Sequence, residues 1–398
     1  MDNVESFIGK PPAINSYCLV ITKEGVTAVK LDPEFDYLRS VNSLRNKITS
    51  AINDAPLPPY HFEEERNGLY NALVKPALPH IPAGVRNVVI VPDGILAHLP
   101  FDLLRENRDS PDFGETWRLS LSPSVSVSIL ALKDGAGETA AGPREPLLAF
   151  GGAWYDKNRT AEDRASRKAL TFDGDAGSAP FRGGGAVLRA EDAGAYYRER
   201  NFTWADLRGT EIEVNELAKL GFSQRPRIFL GREVSEERVK NLSGTGELRN
   251  YPILHFACHG YFNEPVPALS SIVFSEVSGL LGETGEDGYL TVPEIAVLDL
   301  DARMVTLSAC ETGLAQVRRG DGMVGLARSF LAAGAGKVGV SLWPISDDAT
   351  VEFMARLYRK VVEGGLDFRE AYYAVKGEFR DHLRWDHPYY WAAFTLYE

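Results

Sequence analysis

His259 and Cys310 are the residues whose types and spacing offer chemistry. His259 closes the segment YPILHFACHG (251–260), just before its glycine. Cys310 follows the apolar run in MVTLSACETG (304–313). An imidazole can take a thiol proton, and the thiolate is the attacking species. Each residue ends an apolar, β-rich run that stops near glycine, as a buried parallel strand does where it opens into a loop. Ligands of open α/β sheets bind beyond such ends, so both side chains can face one crevice. Spacing alone leaves two readings of Cys310, an inert core thiol and a nucleophile. Three features favour the second: it ends its strand, the turn Glu311-Thr312-Gly313 leaves backbone N–H groups open, and His259 stands 51 residues upstream.

Other polar residues nearby have plainer readings. Neighbouring strand residues point to opposite faces, so a crevice-facing His259 puts Cys258 in the core. His255 and His259 would share a face two pleats apart, but no third or fourth ligand has metal spacing. We expect no metal. His98 reads as a histidine packed beside the Pro92-Asp93-Gly94 turn. The pair Gly151-Gly152 lacks the Gly-Lys-Ser/Thr of a phosphate loop.

The elements that must position these residues can be read in order. Residues 16–31 suggest a hairpin turning at Gly25. Apolar residues at helical spacing mark 34–54, and the proline-rich 55–61 reads as a linker. A helix is expected near 67–74, then a buried strand, turn and short helix over 87–104. Residues 119–132 suggest a turn and a helix, 134–145 is flexible by composition, and 146–152 reads as a strand. Residues 154–206 are charged and glycine-rich, and read as an inserted loop. From Thr210 the pattern becomes regular. Thr210 and Glu213 are spaced as a capping box, as are Thr291 and Glu294. Strands are expected at 227–231, 270–275, 337–343 and 391–397. Helices are expected at 322–335, 347–363 and 367–383. No repeat of 30 to 45 residues is present.

Composition sets outer bounds. The 398 residues suggest more than one core, and 44% hydrophobic with 25% charged is ordinary globular usage. A net charge of −12 argues against non-specific binding to nucleic acid or anionic membranes. No leader and no apolar run of membrane-spanning length is visible, so a cytoplasmic protein is expected. The three cysteines, Cys18, Cys258 and Cys310, are odd in number and far apart, which suits neither a disulfide framework nor a zinc site.

With those residues in view, the segments ILHFACHG, LSACETG, GDGMVGLARSFLAAGA, SLWPISDDAT and HPYYWAAF resemble the CHAT family of caspase-like cysteine proteases, related to separase. PDGILAHLPFDLL and LRGTEIEVNEL fit the same pattern, and the resemblance covers 87–398. The 51-residue interval also matches the histidine-to-cysteine spacing of about 50 that marks caspases. The resemblance implies an α/β caspase–hemoglobinase-like fold, a mostly parallel sheet flanked by helices. Residues 1–150 would be a pseudo-protease domain, 151–206 a flexible insert and 207–398 the catalytic domain. It implies a His259–Cys310 dyad, an oxyanion hole from the N–H groups of Gly260 and Cys310, and no cofactor. Ser341, Leu342 and Trp343 would line the substrate, and Asp321, Asp347 and Asp348 are candidates for an acidic pocket favouring Arg or Lys. The implied activity is cleavage of a protein partner in bacterial defence or cell death, a gasdermin-like or CRISPR-associated protein being among the substrates of such proteases, with an activator protein upstream. The different-class alternative is a catalytically silent scaffold. Two departures stand out: many members carry a tetratricopeptide array before the protease and none is read in this sequence, and residue 258 is Cys where the family more often has Thr or Ser.

Overall fold

The computed structural model describes residues 16–50, 61–134, 147–155, 193–199, 202, 204–263, 265–275, 286–308 and 321–398. The strands are β1 (Tyr17–Ile21), β2 (Val26–Lys30), β3 (Asn87–Ile90), β4 (Arg118–Leu121), β5 (Leu148–Gly151), β6 (Arg227–Leu230), β7 (Ile253–Phe256), β8 (His259–Tyr261), β9 (Ser271–Val273), β10 (Tyr289–Thr291), β11 (Met304–Leu307), β12 (Val338–Ser341) and β13 (Phe394–Tyr397). The helices are α1 (Tyr37–Thr49), α2 (Glu63–Leu69), α3 (Phe113–Thr116), α4 (Val125–Asp134), α5 (Ala193–Glu199), α6 (Arg208–Leu217), α7 (Glu236–Gly244), α8 (Val292–Ile295), α9 (Asp321–Ala332), α10 (Asp347–Val362), α11 (Phe368–Arg380) and α12 (Pro388–Trp391).

Eight strands form one sheet in the order β3-β4-β13-β12-β11-β7-β5-β6. β6, β5, β7, β11 and β12 run parallel, and β13 runs antiparallel to β12. The expected mixed α/β architecture with a mostly parallel sheet is therefore the one observed. Its central strands are buried along their whole length, as their unbroken apolar runs require. Phe150 of β5 stacks on Phe229 of β6 and Phe256 of β7 at 5.2 and 5.1 Å between ring centres. The ladder hydrogen bonds set the strand spacing, and these rings, on directly opposite residues, pack along one face of the sheet.

The chain divides into two compact units, 1–88 with 101–118, and 89–100 with 119–398. β5 ends at 151 and is hydrogen-bonded on both sides, to β6 and β7. Among its described residues the first unit holds the two-stranded β1–β2 sheet and the helices α1, α2 and α3. Of the expected insert, residues 156–192 lie outside the described residues, as does most of the 55–61 linker; α5 and 204–206 belong to the second unit. Tyr197 of α5 is fully buried and donates to the Leu269 carbonyl at 2.7 Å.

Candidate active site

Along the parallel part of the sheet, strand order reverses at β5, with β6 on one side and β7 on the other. A crevice opens where chains leave neighbouring strands in different directions. The chain leaving β5 turns at Gly152, whose φ of 62° suits glycine. A Cβ on Gly151 would lie 2.6 Å from the Thr210 carbonyl oxygen. The glycine pair thus lets α6 approach, and the Gly152 N–H donates to Thr210 Oγ1 at 2.9 Å.

The chain leaving β7 breaks after Phe256, and His259 opens β8 in a separate sheet ordered β10-β9-β8. His255 and His259 are therefore on different strands, and the shared-face expectation does not hold. Cys258 is buried as expected, and desolvation pushes its thiol far above the usual range. His259 is 1% exposed. Its ring lies between Tyr155 and Trp204, with centres 4.6 and 5.1 Å away. Its Nε2 is 2.7 Å from the carbonyl oxygen of Ala205. A carbonyl can only accept, so Nε2 carries the proton, and in the neutral ring Nδ1 is the basic nitrogen. The same carbonyl would stabilise the imidazolium. The His259 backbone N–H donates to Tyr155 Oη at 3.1 Å, and that hydroxyl donates to the Val273 carbonyl at 2.9 Å. Gly260 is buried opposite Ile272 in the β8–β9 ladder. Cys310 lies outside the described residues, which resume at 321.

Behind His259 runs a polar chain through the core. Tyr358 of α10 links Thr306 of β11, 2.9 Å from its hydroxyl, with His255 Nδ1 at 3.0 Å. His255 Nε2 stands 2.9 Å from Glu213 Oε1, at ion-pair distance though off the hydrogen-bond line. Ser308 Oγ donates to Glu213 Oε2 at 3.1 Å. None of the five is more than 5% exposed. Burial holds the Tyr358 phenol above its ordinary pKa. The capping-box reading of Thr210 and Glu213 is thereby corrected. The helix starts three residues earlier, with Leu207 rather than Thr210 as its N-cap. Thr210 Oγ1 donates to the Leu207 carbonyl at 2.6 Å, and Glu213 faces inward with Val214 and Leu217.

Residues 63–398 match the CHAT domain. The chain belongs to the CHAT domain family. Among curated proteins, this CHAT chain is 34% identical over 110 residues to tetratricopeptide repeat protein 28 of Mus musculus, and 33% over 107 residues to that of Homo sapiens. Each match covers 27% of this chain and 4% of the relative's length. Among solved structures, the Arg specific cysteine proteinase gingipain R aligns over 91% of this chain and 73% of its own, at 8% identity and a TM-score of 0.40. The complex of Porphyromonas gingivalis RgpB pro- and mature domains aligns over 90% and 74%, at 10% identity and 0.41.

The remaining expected site residues of this CHAT domain fall in several places. Asp347 and Asp348 line a surface cavity of about 560 Å³ with Arg208, Glu352, Arg384 and Trp385. Asp348 is paired with Arg384 at 2.7 Å, whereas Asp347 Oδ2 accepts the Gly209 N–H at 3.0 Å. Desolvation raises the Asp347 carboxyl's pKa, with Glu213 and Asp348 adding to the rise. The Gly209 N–H and His259 oppose it. Gly209 is required here, because a Cβ would meet Asp347 Cγ at 2.3 Å. Asp321 opens α9, and its side chain lies outside the described residues. Ser341, Leu342 and Trp343 are buried. The Leu342 N–H donates to the Ala393 carbonyl at 2.8 Å, and Trp343 Nε1–H to the Tyr389 carbonyl at 3.0 Å. Ser341 lies opposite Phe394 of β13, so on the β13 side this stretch is already taken up by the sheet. Three carboxylates elsewhere, Glu236, Glu286 and Glu294, converge within 4.8 Å. The Lys240 ammonium sits among them, 2.6 Å from Glu236, 2.8 Å from Glu294 and paired with Glu286, where a cation would otherwise be held.

Sequence reasoning missed Ala205, Tyr155 and Trp204. Ala205 acts through a backbone carbonyl, which no residue type announces. Tyr155 gave one signal, an aromatic residue just after a glycine-terminated strand.

Proposed function

We propose that this CHAT domain is a cysteine endopeptidase in which Cys310 is the nucleophile and His259 the acid–base group. The observation that carries the reading is the Ala205 carbonyl on His259 Nε2, which makes Nδ1 the basic nitrogen at the strand-order reversal. The Cys310 thiol gives its proton to Nδ1 and the thiolate adds to the scissile carbonyl. The N–H groups of Gly260 and Cys310 hold the resulting oxyanion, a kind of contact whose removal costs roughly 100- to 1,000-fold in rate. The imidazolium passes its proton to the departing amine. Water, giving a proton to His259, then hydrolyses the thioester and restores the thiol.

The substrate is a protein partner bound as an extended segment. Asp347 is the pocket carboxylate suited to a basic side chain before the cut, since Asp348 already has Arg384. A gasdermin-like or CRISPR-associated partner, an activator protein, and a cytoplasmic defence role belong to the same proposal. Co-expression of wild type and Cys310→Ala with candidate partners tests it. A partner fragment that forms with wild type alone is expected. Binding of the partner without cleavage by either form would instead support the scaffold reading.

A further inference from the structure

The five-residue chain behind His259 is not used by the proposed dyad, yet it occupies the centre of the fold. Glu213 is 2% exposed; its Oε2 accepts the hydroxyl of Ser308, just past β11, and its Oε1 stands 2.9 Å from His255 Nε2 of β7, off the hydrogen-bond line. β7 and β11 are parallel neighbours, with Thr306 opposite His255 and Leu307 opposite Phe256. Burying a carboxylate is costly, and apolar side chains of equal volume could fill the same space without that cost. What apolar packing does not give is a directional hold on one residue. Hydrogen bonds in a low-dielectric interior supply that hold. Ser308 lies two residues before Cys310 in the chain. The Ser308 backbone N–H is bonded to the Phe256 carbonyl at 3.1 Å, so the chain leaves β11 from a point held by both backbone and side chain.

We propose that Glu213 is a positioning residue for the thiol: from helix α6, beside His255, its carboxylate holds the Ser308 hydroxyl and so sets where the chain leaves β11 toward Cys310. This rests on the reading of Cys310 and His259 as a dyad. A misplacement of 1 Å in such a pair can cost about 100-fold in rate. The glutamate touches neither the substrate nor the reacting atoms, and it acts through Ser308.

The test is the rate of Cys310 alkylation by iodoacetamide on the full chain, from about pH 5 to 9, quantified by peptide mass spectrometry. Wild type is compared with Ser308→Ala, Glu213→Ala, Glu213→Gln and His259→Ala. Ser308→Ala removes only the tether and is small enough to fold should Glu213→Ala fail. Gln keeps an acceptor for the Ser308 hydroxyl and loses only the charge. The expected result is labelling slowed roughly 10- to 100-fold in Ser308→Ala and Glu213→Ala, with the histidine-dependent limb of the pH profile lost. Glu213→Gln is expected to keep both rate and profile. A lowered unfolding midpoint with the wild-type pH profile would mark a merely structural role and overturn the proposal. Wild-type labelling in Ser308→Ala would do the same. Labelling of wild type no faster than His259→Ala would instead overturn the dyad, and the tether's role with it.

Discussion

At the scale of single residues, Tyr155 shows how much of the site rests on groups that do no chemistry. Its hydroxyl accepts from the His259 backbone and donates to the Val273 carbonyl, while its ring covers the imidazole. Tyr155→Phe keeps the ring and deprives two buried backbone groups of this partner. A buried polar group left unsatisfied costs about 1–3 kcal/mol. Urea denaturation should show a loss of that size, with slower labelling of Cys310. A variant as stable as wild type would mean that solvent or another group replaces the hydroxyl. The sequence read His259 as the end of a strand, whereas β7 ends at Phe256 and His259 opens β8, because an apolar run does not show where its strand breaks. Glu213 was not legible. Thr-x-x-Glu has the same spacing in a capping box and on an inward helix face, and only the helix start at Arg208 separates the two. His255 was hidden for a related reason, since an apolar run gives no sign that one member will meet a buried carboxylate.

At the scale of elements, the lead into α6 and its first turns hold most of the site: Ala205 holds His259, Gly209 holds Asp347, Thr210 receives Gly152, and Glu213 reaches two strands. The sequence marked this stretch as helical but assigned its start wrongly, because backbone contacts decide the first turn. Local signals succeeded where the partners are close in sequence. Thr291 and Glu294 do form the capping box at α8, and Ser235 caps α7 by accepting the Arg238 N–H. The same Glu294 shares Lys240 with Glu236 and Glu286, joining α7 to the approach of β10. Desolvation holds the Glu236 carboxyl up at about 8, and Lys240 opposes that rise. Lys240→Met removes the opposition, so the folded-state pKa climbs further above the unfolded value. A raised carboxyl stabilises the fold at low pH, and that contribution falls as pH rises from about 4.5 through the folded value. At pH 5 both forms hold this carboxyl protonated, so they should differ little through it. Above about pH 8 wild type ionises Glu236 beside Lys240 while the variant still resists, so the variant should fall below wild type by about 1.4 kcal/mol for each further pH unit until its own folded value is reached. Denaturant titrations at about pH 5 and about pH 9.5 measure it, and an equal gap at both would show that Lys240 acts by packing alone.

At the scale of the molecule, the eight-stranded sheet joins segments that are far apart in the chain. β13, at 394–397, lies between β12 and β4, and β4 lies at 118–121. Periodicity could propose most of these strands one by one, but it could not order them, since the pairs β4–β13, β11–β7 and β7–β5 are neighbours in the sheet and not in sequence. It also missed β4, whose four residues read as a turn. β13 is therefore the clearest test of the order. Its register sets Gly339 against Leu396 and Ser341 against Phe394. Phe394 stacks on Phe353 of α10 at 3.8 Å between ring centres, and the Glu398 N–H donates to the Leu121 carbonyl at 2.9 Å. Removing 392–398 would expose the ladder groups of β12 and leave Phe353 beside a cavity. β1 and β2, by contrast, pair only with each other among the described residues, and Tyr17, Leu19 and Ile21 stand exposed. Removing 1–31 should leave the cooperative thermal transition of the sheet in place, whereas removing 392–398 should abolish it. Phe394→Ala should fall between the two, at about 3–5 kcal/mol, the usual cost of truncating a buried phenylalanine. Calorimetry of the three variants decides the matter, because a sharp transition surviving loss of 392–398 would mean that β13 is an edge rather than an interior strand.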